Sequence, residues 1–280
     1  MHVNSYMWAT IIGVLVFSGC ESAFNPLDRN EELSFTMNGL LDVHADTQWV
    51  RVMPIGQSLL PTDPAPNGTV VKLIKHSTGE TIVLEDSLFK FSNDTFVWNY
   101  ELAGPISGNE SYEIIAEAPN GAQSRAVVNT PSSLSVPDVE YSEDFERISI
   151  SGTADDTVVV AETRYLVQAF TEVGCSPERE VIISHADELR YISEREFIIN
   201  SENRGDLASE MGVSAFNFQV NYRQFVLITA GSDWPADVSL SDFEESLPEI
   251  NSNVEGGTGL VAGIAGRTVE ISERSQPCDL

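Results

Sequence analysis

From residue 33 onward the sequence is broken into short runs of β-branched and aromatic residues, each closed by a turn signal. No window carries a long apolar stripe at helical spacing. A chain of this kind cannot bury its apolar residues by packing helices; it has to build sheets and stack them. The clearest unit is a hairpin in which residues 111–118 and 122–129 are joined by Asn120-Gly121, a pair that accommodates positive φ in a tight turn. Residues 69–75 and 80–84 read as a second hairpin around Thr78-Gly79. With residues 34–37, 49–53 and the aromatic run 96–100, about seven strands are available, enough for one sandwich of about 100 residues.

Pro131-Ser132-Ser133-Leu134-Ser135-Val136-Pro137 is bracketed by prolines and reads as a boundary. The expected fold is mainly β: a β-sandwich over 33–130, a linker over 131–137 and a second β-rich domain over 138–280. Strands of the second part are expected at 147–151, 157–170, 179–183 and 196–200. Residues 216–223 alternate apolar and polar, which places Phe216, Phe218, Val220 and Tyr222 on one face and predicts solvent for the other. Residues 242–247 make at most a short capped helix, because Pro248 ends it.

The 280 residues include 43 acidic and 15 basic side chains, a formal net charge of −28. Such a surface repels polyanions, which excludes nucleic acid and argues against attraction to anionic lipid headgroups.

Residues 7–17 are uncharged and apolar, long enough for a signal peptide's apolar region and too short to span about 30 Å of hydrocarbon. Ser18-Gly19-Cys20 follows and resembles the lipobox of bacterial lipoproteins. That resemblance implies a signal peptide over 1–19, acylation of Cys20 after cleavage, and a polar tether over 20–32. One acyl chain anchors only marginally, at about 0.8 kcal/mol per buried CH₂, whereas two or three hold a protein stably. A plain secretory peptide, or a buried N-terminal strand with Cys20 as a core thiol, is the alternative reading of the same residues. Export leaves Cys175 and Cys278 as an even pair in a compartment where disulfides persist, and they are expected to bond and pin the C-terminus. Two free thiols are the alternative.

Gly257-Thr258-Gly259-Leu260-Val261-Ala262 fits a loose dinucleotide fingerprint, but too little chain follows to supply the helix and acid-bearing strand such a site needs. A glycine-rich strand where backbones approach closely is the better reading. Asp42, His44 and Asp46 alternate, and in an extended segment would share one side, a weak metal candidate against the simpler reading of a solvated strand end. Ser184, His185 and Asp187 are triad types, yet sequence neighbours rarely converge on a substrate, so a surface turn is expected. No nucleophile elbow, zinc helix or phosphate loop occurs, and no cofactor is implied. Of the tryptophans, Trp98 is expected in the core, Trp49 is a further recognition candidate, and Trp234 is a weak ligand-binding candidate because it lies in the loop Gly231-Ser232-Asp233-Trp234-Pro235.

The lipobox-like start, a β domain opening near Leu33, a strand over 220–229 and Pro248-Glu249-Ile250-Asn251-Ser252-Asn253-Val254-Glu255-Gly256-Gly257-Thr258-Gly259 together resemble a family of Bacteroidota outer-membrane lipoproteins catalogued as a domain of unknown function. Asn67-Gly68-Thr69-Val70-Val71-Lys72-Leu73 and Ser111-Tyr112-Glu113-Ile114 also resemble the transthyretin-like or carboxypeptidase-regulatory sandwich. These resemblances imply a non-catalytic module on an outer-membrane lipoprotein working beside a TonB-dependent transporter. The expected function is a non-enzymatic, lipid-anchored envelope protein presenting a binding surface to a substrate or to that transporter. An adhesive or structural surface lipoprotein is the alternative, and a hydrolase with an inter-domain carboxylate site is a third reading.

Overall fold

In the computed structural model, residues 33–56, 67–90, 96–134, 138–141, 146–151, 157–171, 174–185, 190–193, 196–201, 203–214, 217–235 and 252–272 are described. The expected signal peptide and tether with Cys20, the disulfide candidate Cys278, Asp187, Phe216 and residues 242–247 lie outside them. In chain order the strands are β1 (Phe35–Asp42), β2 (Thr47–Pro54), β3 (Val70–Lys75), β4 (Glu80–Val83), β5 (Glu85–Lys90), β6 (Phe96–Ala103), β7 (Ser111–Glu117) and β8 (Gln123–Asn129). They continue as β9 (Asp138–Tyr141), β10 (Glu146–Ser151), β11 (Thr157–Thr171), β12 (Gly174–Cys175), β13 (Arg179–Ser184), β14 (Arg190–Ser193) and β15 (Glu196–Ser201). Among the described residues one helix, α1 (Asn203–Met211), precedes β16 (Phe218–Ala230), β17 (Val254–Glu255), β18 (Gly257–Thr258) and β19 (Val261–Ser272). The fold is mainly β, as the alternation predicts.

Among the described residues the strands form three sheets. The largest runs β12-β11-β16-β19-β1-β2-β6-β5, with β13 on β11 and β18 on β1. A second runs β17-β8-β7-β3-β4, and a third β14-β15-β10-β9. The first two supply one core, because their alternating residues converge: Phe35, Met37 and Leu41 of β1, Val50 and Val52 of β2, Tyr112, Ile114 and Ala116 of β7, and Ala126 and Val128 of β8 are all buried in one cluster. Each large aliphatic or aromatic side chain so placed contributes about 1.5–3 kcal/mol, which is what holds a sandwich of short strands together. The Asn120-Gly121 turn closes as expected, with the Gly121 N–H donating to Ala118 O and Gly121 itself at φ +85°.

Strands on either side of residues 131–137 are hydrogen-bonded neighbours: β1 runs parallel to β19, with Gly39 opposite Val261 and Asp42 opposite Ile264. The expected linker is therefore not a break in the sheet. Leu134 within it is buried at 2% exposure in the shared core. Its N–H donates to His44 Nε2 at 3.1 Å, and its carbonyl accepts from Arg267 Nε at 3.3 Å. A segment that reads as polar punctuation is pinned by one apolar side chain and two polar partners.

Both lateral edges of the sandwich are single segments that change sheet. Residues 80–90 pair with β3 as β4, then, past the buried Leu84, with β6 as β5. Residues 254–258 pair with β8 as β17, then turn at Gly256, φ +65°, and pair with β1 as β18. Ser124 fastens that second crossing, accepting from Phe35 N at 3.1 Å and donating to Gly256 O at 2.5 Å.

One short element carries no sequence signal of its own, and one local expectation is corrected. A short helix exists where the sequence shows no long apolar stripe: α1 buries only Leu207 and Ala208, against Tyr165, Val167 and Phe218. It ends at Gly212, φ +66°, with Gly212 N donating to Ser209 O and Val213 N to Ala208 O. The alternation over 216–223 also fails midway. Leu166 faces Tyr222 but Val167 faces Val220, so Asn221 is an extra residue in β16. The bulge turns Tyr222 away from the face that holds Phe218, and the expected solvated face is mixed: Asn217 is exposed, whereas Asn221 is 1% exposed.

Candidate functional site

The switch of sheet at Leu84 leaves a gap. Past Glu101, the partner of Glu85, the edge of β6 has no β5 neighbour, while β4 lies across from it in the other sheet. Between them is a slot of about 210 Å³. Its walls are Leu73, Ile82, Leu102, Ile106 and Tyr112, with Lys75 and Glu80 among its polar lining residues. Lys75 is already engaged: its Nζ lies 3.1 Å from Ser107 Oγ and 3.4 Å from Glu110 Oε2. The Ser77 hydroxyl, joined by the Ser111 N–H and Lys75, holds the Glu110 carboxyl below its ordinary pKa. Tyr112 OH accepts from Ser107 N at 2.8 Å, which fixes the loop forming one wall. Among the described residues Glu80 is the one carboxylate lining the slot, so they do not place there the carboxylate pair of a glycoside hydrolase.

The β4–β5 segment that borders the slot also carries exposed apolar side chains, and Trp49 of β2 joins them through Phe89. Val83 is 59% exposed, Phe89 42% and Trp49 37%. The Trp49 and Phe89 rings meet edge to face, with centroids 5.3 Å apart and planes at 79°. Alternation explains the pair: Val50 and Val52 turn inward on β2, which leaves Trp49 outward, and β5 is exposed over nearly its whole length. Trp49 is legible from the sequence as a recognition candidate; Ile82, Val83, Leu88 and Phe89 are not. The signal that would find them is an apolar residue on a strand left at the end of its sheet, and local pattern does not contain it.

The other candidates lie elsewhere. Trp234 is 7% exposed and packs with Ala230, Leu260, Ala262 and Ile264, so its ring offers no stacking face. Its loop is tied down by Asp233, which accepts from Asn129 N at 2.8 Å and from Asn129 Nδ2. Trp98 packs partly buried against the sandwich core. Asp42, His44 and Asp46 do not converge: Asp42 Oδ1 accepts from His44 N at 2.9 Å and Gly266 N at 3.2 Å, while His44 Nε2 accepts from Leu134. Burial, then the nearby Arg267 charge, lowers the His44 pKa against the opposing pull of Asp42. His185 is fully buried instead of sitting on a surface turn; Thr163 Oγ1 lies 2.8 Å from its Nε2, and its ring tilts against Phe225. Cys175 is half-buried on β12 opposite Phe170.

The glycine-rich run behaves as a place of close approach. A Cβ on Gly257 would meet Phe35 O, one on Gly259 would overlap Met37 O, and one on Gly263 would lie 2.6 Å from Asn129 O. Asn253 completes the seam, donating from Nδ2 to Val261 O at 2.7 Å and accepting from Val261 N at 3.0 Å.

No family model and no curated protein matches the chain. Among solved structures it shows distant likeness to a pullulanase from Anoxybacillus sp. LM18-11, alone and with maltotriose. The maltotriose complex has 8% identity and a TM-score of 0.22, covering 71% of this chain and 24% of that one. The unliganded form has 9% identity and a TM-score of 0.22, covering 82% and 28%. The chain thus spans about a quarter of the pullulanase length. A third likeness is to Dpr2 Ig1-Ig2 in complex with DIP-Theta Ig1-Ig3, at 8% identity and TM-score 0.24, covering 69% of this chain and 89% of that chain.

Proposed function

We propose that this chain is a non-enzymatic protein of the cell envelope, anchored at the outer membrane through lipid on Cys20, that presents a binding surface to a substrate or to a TonB-dependent transporter. The observation that carries the reading is the edge segment of β4 and β5, where Ile82, Val83, Leu88 and Phe89 are each more than a third exposed and the equally exposed Trp49 meets Phe89 edge to face. Apolar side chains exposed together along one edge segment of a folded protein mark a place where something else docks, and tryptophan is among the side chains enriched in carrying binding energy there. Anchoring is supported by Ser18-Gly19-Cys20, and the net charge of −28 keeps a crowded, membrane-held protein soluble.

The test has two arms. Cys20→Ala releases the chain from the membrane fraction and abolishes labelling by a fatty-acid probe; retention with labelling intact overturns the anchor. Affinity purification of the detergent-solubilised full chain brings down a β-barrel protein in stoichiometric amount, and the double variant Trp49→Ala, Phe89→Ala loses it. A double variant that keeps the same partner overturns the assignment of the surface. A membrane-held chain with no barrel partner favours the adhesive alternative.

A further inference from the structure

We propose that the free edge of β4 and the slot beside it bind an extended, basic peptide segment of a partner protein, adding it as a strand and taking one bulky apolar side chain into the slot. The inference names a partner class for the binding surface proposed above and rests on that reading.

The backbone supplies the first argument. β4 ends its sheet, with β3 on one side and no neighbour on the other among the described residues. Leu84 N–H donates to Val71 O, so the alternation of an antiparallel ladder turns Ile82 and Glu80 toward β3 and directs the N–H and C=O groups of Thr81 and Val83 outward. All four residues of β4 are exposed. An unpaired edge of this type is a template for another strand, and natural sheets normally blunt it. Here the edge is short and carries the acidic Glu80, but its remaining residues, Thr81-Ile82-Val83, are β-branched throughout, with neither proline nor lysine.

The slot supplies the second. A strand added to β4 points alternate side chains toward the opposite sheet, as Ile82 and Glu80 already do. That direction leads to Leu73, Leu102, Ile106 and Tyr112. Main-chain bonds along an edge with a pocket for alternate side chains is the recurring arrangement of strand addition.

Charge decides the occupant. Glu80, Glu85 and Asp86 are exposed along the segment, and among the described residues no lysine, arginine or histidine lies within ion-pair distance of them. Lys72 and Lys75 are committed to Glu117 and Glu110. A second copy paired through the same edge would set these carboxylates against their own equivalents, a repulsive arrangement. A basic segment meets them with opposite charge.

The experiment uses the full chain in detergent and a fluorescein-labelled peptide of alternating lysine and valine, with one phenylalanine on the valine face. Fluorescence anisotropy reports binding that weakens as salt is raised. Replacing the lysines by glutamate, or placing proline at alternate positions of the peptide, weakens binding by about tenfold or more. On the protein, Thr81→Pro deletes one outward N–H while leaving the β3 bonds in place, and Ala103→Trp fills the slot mouth; each weakens binding by about tenfold or more, with an unchanged circular-dichroism spectrum and melting temperature. The proposal is overturned if no peptide binds, if the glutamate or proline peptides bind as well as the parent, or if both protein variants bind normally. It is also overturned if sedimentation shows a dimer that Thr81→Pro dissolves, since the edge then serves a second copy. Fatty-acid labelling at Cys20 and capture of a barrel through Trp49 are separate readouts, so peptide failure alone leaves the broader reading standing.

Discussion

Gly259→Ala separates two effects that are usually confounded, backbone conformation and room for a side chain. Gly259 sits at φ +109°, and a Cβ there would overlap Met37 O, lie 2.9 Å from the Met37 carbonyl carbon and 3.0 Å from Asn38 Oδ1. Holding alanine in so sparsely populated a region costs about 1–3 kcal/mol. The overlap is with backbone, which cannot rotate away, so β18 and the start of β19 must shift from β1 at a further cost of about 1–3 kcal/mol. Together these give about 2–6 kcal/mol, or roughly 5–20 °C in melting temperature at about 2–4 °C per kcal/mol for a domain of this size. Gly79→Ala is the control: its φ is +71°, but nothing lies within 4 Å of the added carbon. There a left-handed strain of about 1–2 kcal/mol is partly offset by about 0.4–1 kcal/mol of lost unfolded-state entropy, leaving at most about 1.5 kcal/mol. Urea titration and thermal melts followed by circular dichroism measure both. Equal destabilisation by the two substitutions would refute the close approach of β1 to the glycine-rich run.

Three further outcomes follow from other parts of the molecule. The His44 pKa lies below 6.5 in the folded state, so the acceptor role of its neutral ring toward Leu134 is fully present above 6.5 and lost as pH falls through the lowered value. Protonation also sets the ring against Arg267, with Asp42 opposing; the stability gap between wild type and His44→Ala, about 1 kcal/mol near pH 8, therefore narrows toward about pH 5, and a gap that widens refutes the assignment. Asn221→Leu removes the donor shared by Gln168 Oε1 at 2.7 Å and Glu178 Oε1 at 2.9 Å, and lowers stability by about 1–3 kcal/mol in urea titration; adding Gln168→Leu should recover part of that loss, and strict additivity would show the two are not coupled. Non-reduced digests should contain the Cys175 and Cys278 peptides joined, a bridge contributing about 4 kcal/mol in the chain-entropy model, and both cysteines alkylated before reduction would exclude it.

The parts of this fold that local physics determines are readable from the residues. Asn120-Gly121 makes its turn because glycine alone accepts the φ required, and the strands flanking Thr78-Gly79 form because their β-branched runs match. What is decided by pairing over long separations is not readable. Thr36 and Thr258 share a hydrogen bond across 222 residues, and nothing in either segment names the other. Asn221 belongs to a run of perfect alternation, yet the ladder with β11 inserts it as an extra residue and reverses the parity. Leu134 looks like one apolar residue in a polar connection; only the convergence of β1 and β19 beneath it makes it core. The candidate site shares this character, since Trp49 stands out by type whereas Ile82 and Phe89 matter only because their strands end their sheets.

The two edges of the sandwich differ in the same long-range way, and the difference is what sets the open side apart. Both edges change sheet midway, at Gly256 and at Leu84, and each change leaves a stretch of the opposite sheet unpaired. At Gly256 the deficit is filled: β19 continues along β1 directly after β18, and Asn253, Ser124 and the glycines bring the backbones close enough to exclude a side chain. At Leu84 the end of β6 faces β4 across a slot, and the exposed side chains of the edge include Ile82, Val83, Leu88 and Phe89 beside its charged residues. A chain with 43 acidic residues has ample means to make that side polar. It places Glu80, Glu85 and Asp86 around the edge while leaving Ile82, Val83, Leu88 and Phe89 on it, the composition expected of a surface that attracts a basic strand by charge and holds it by burial.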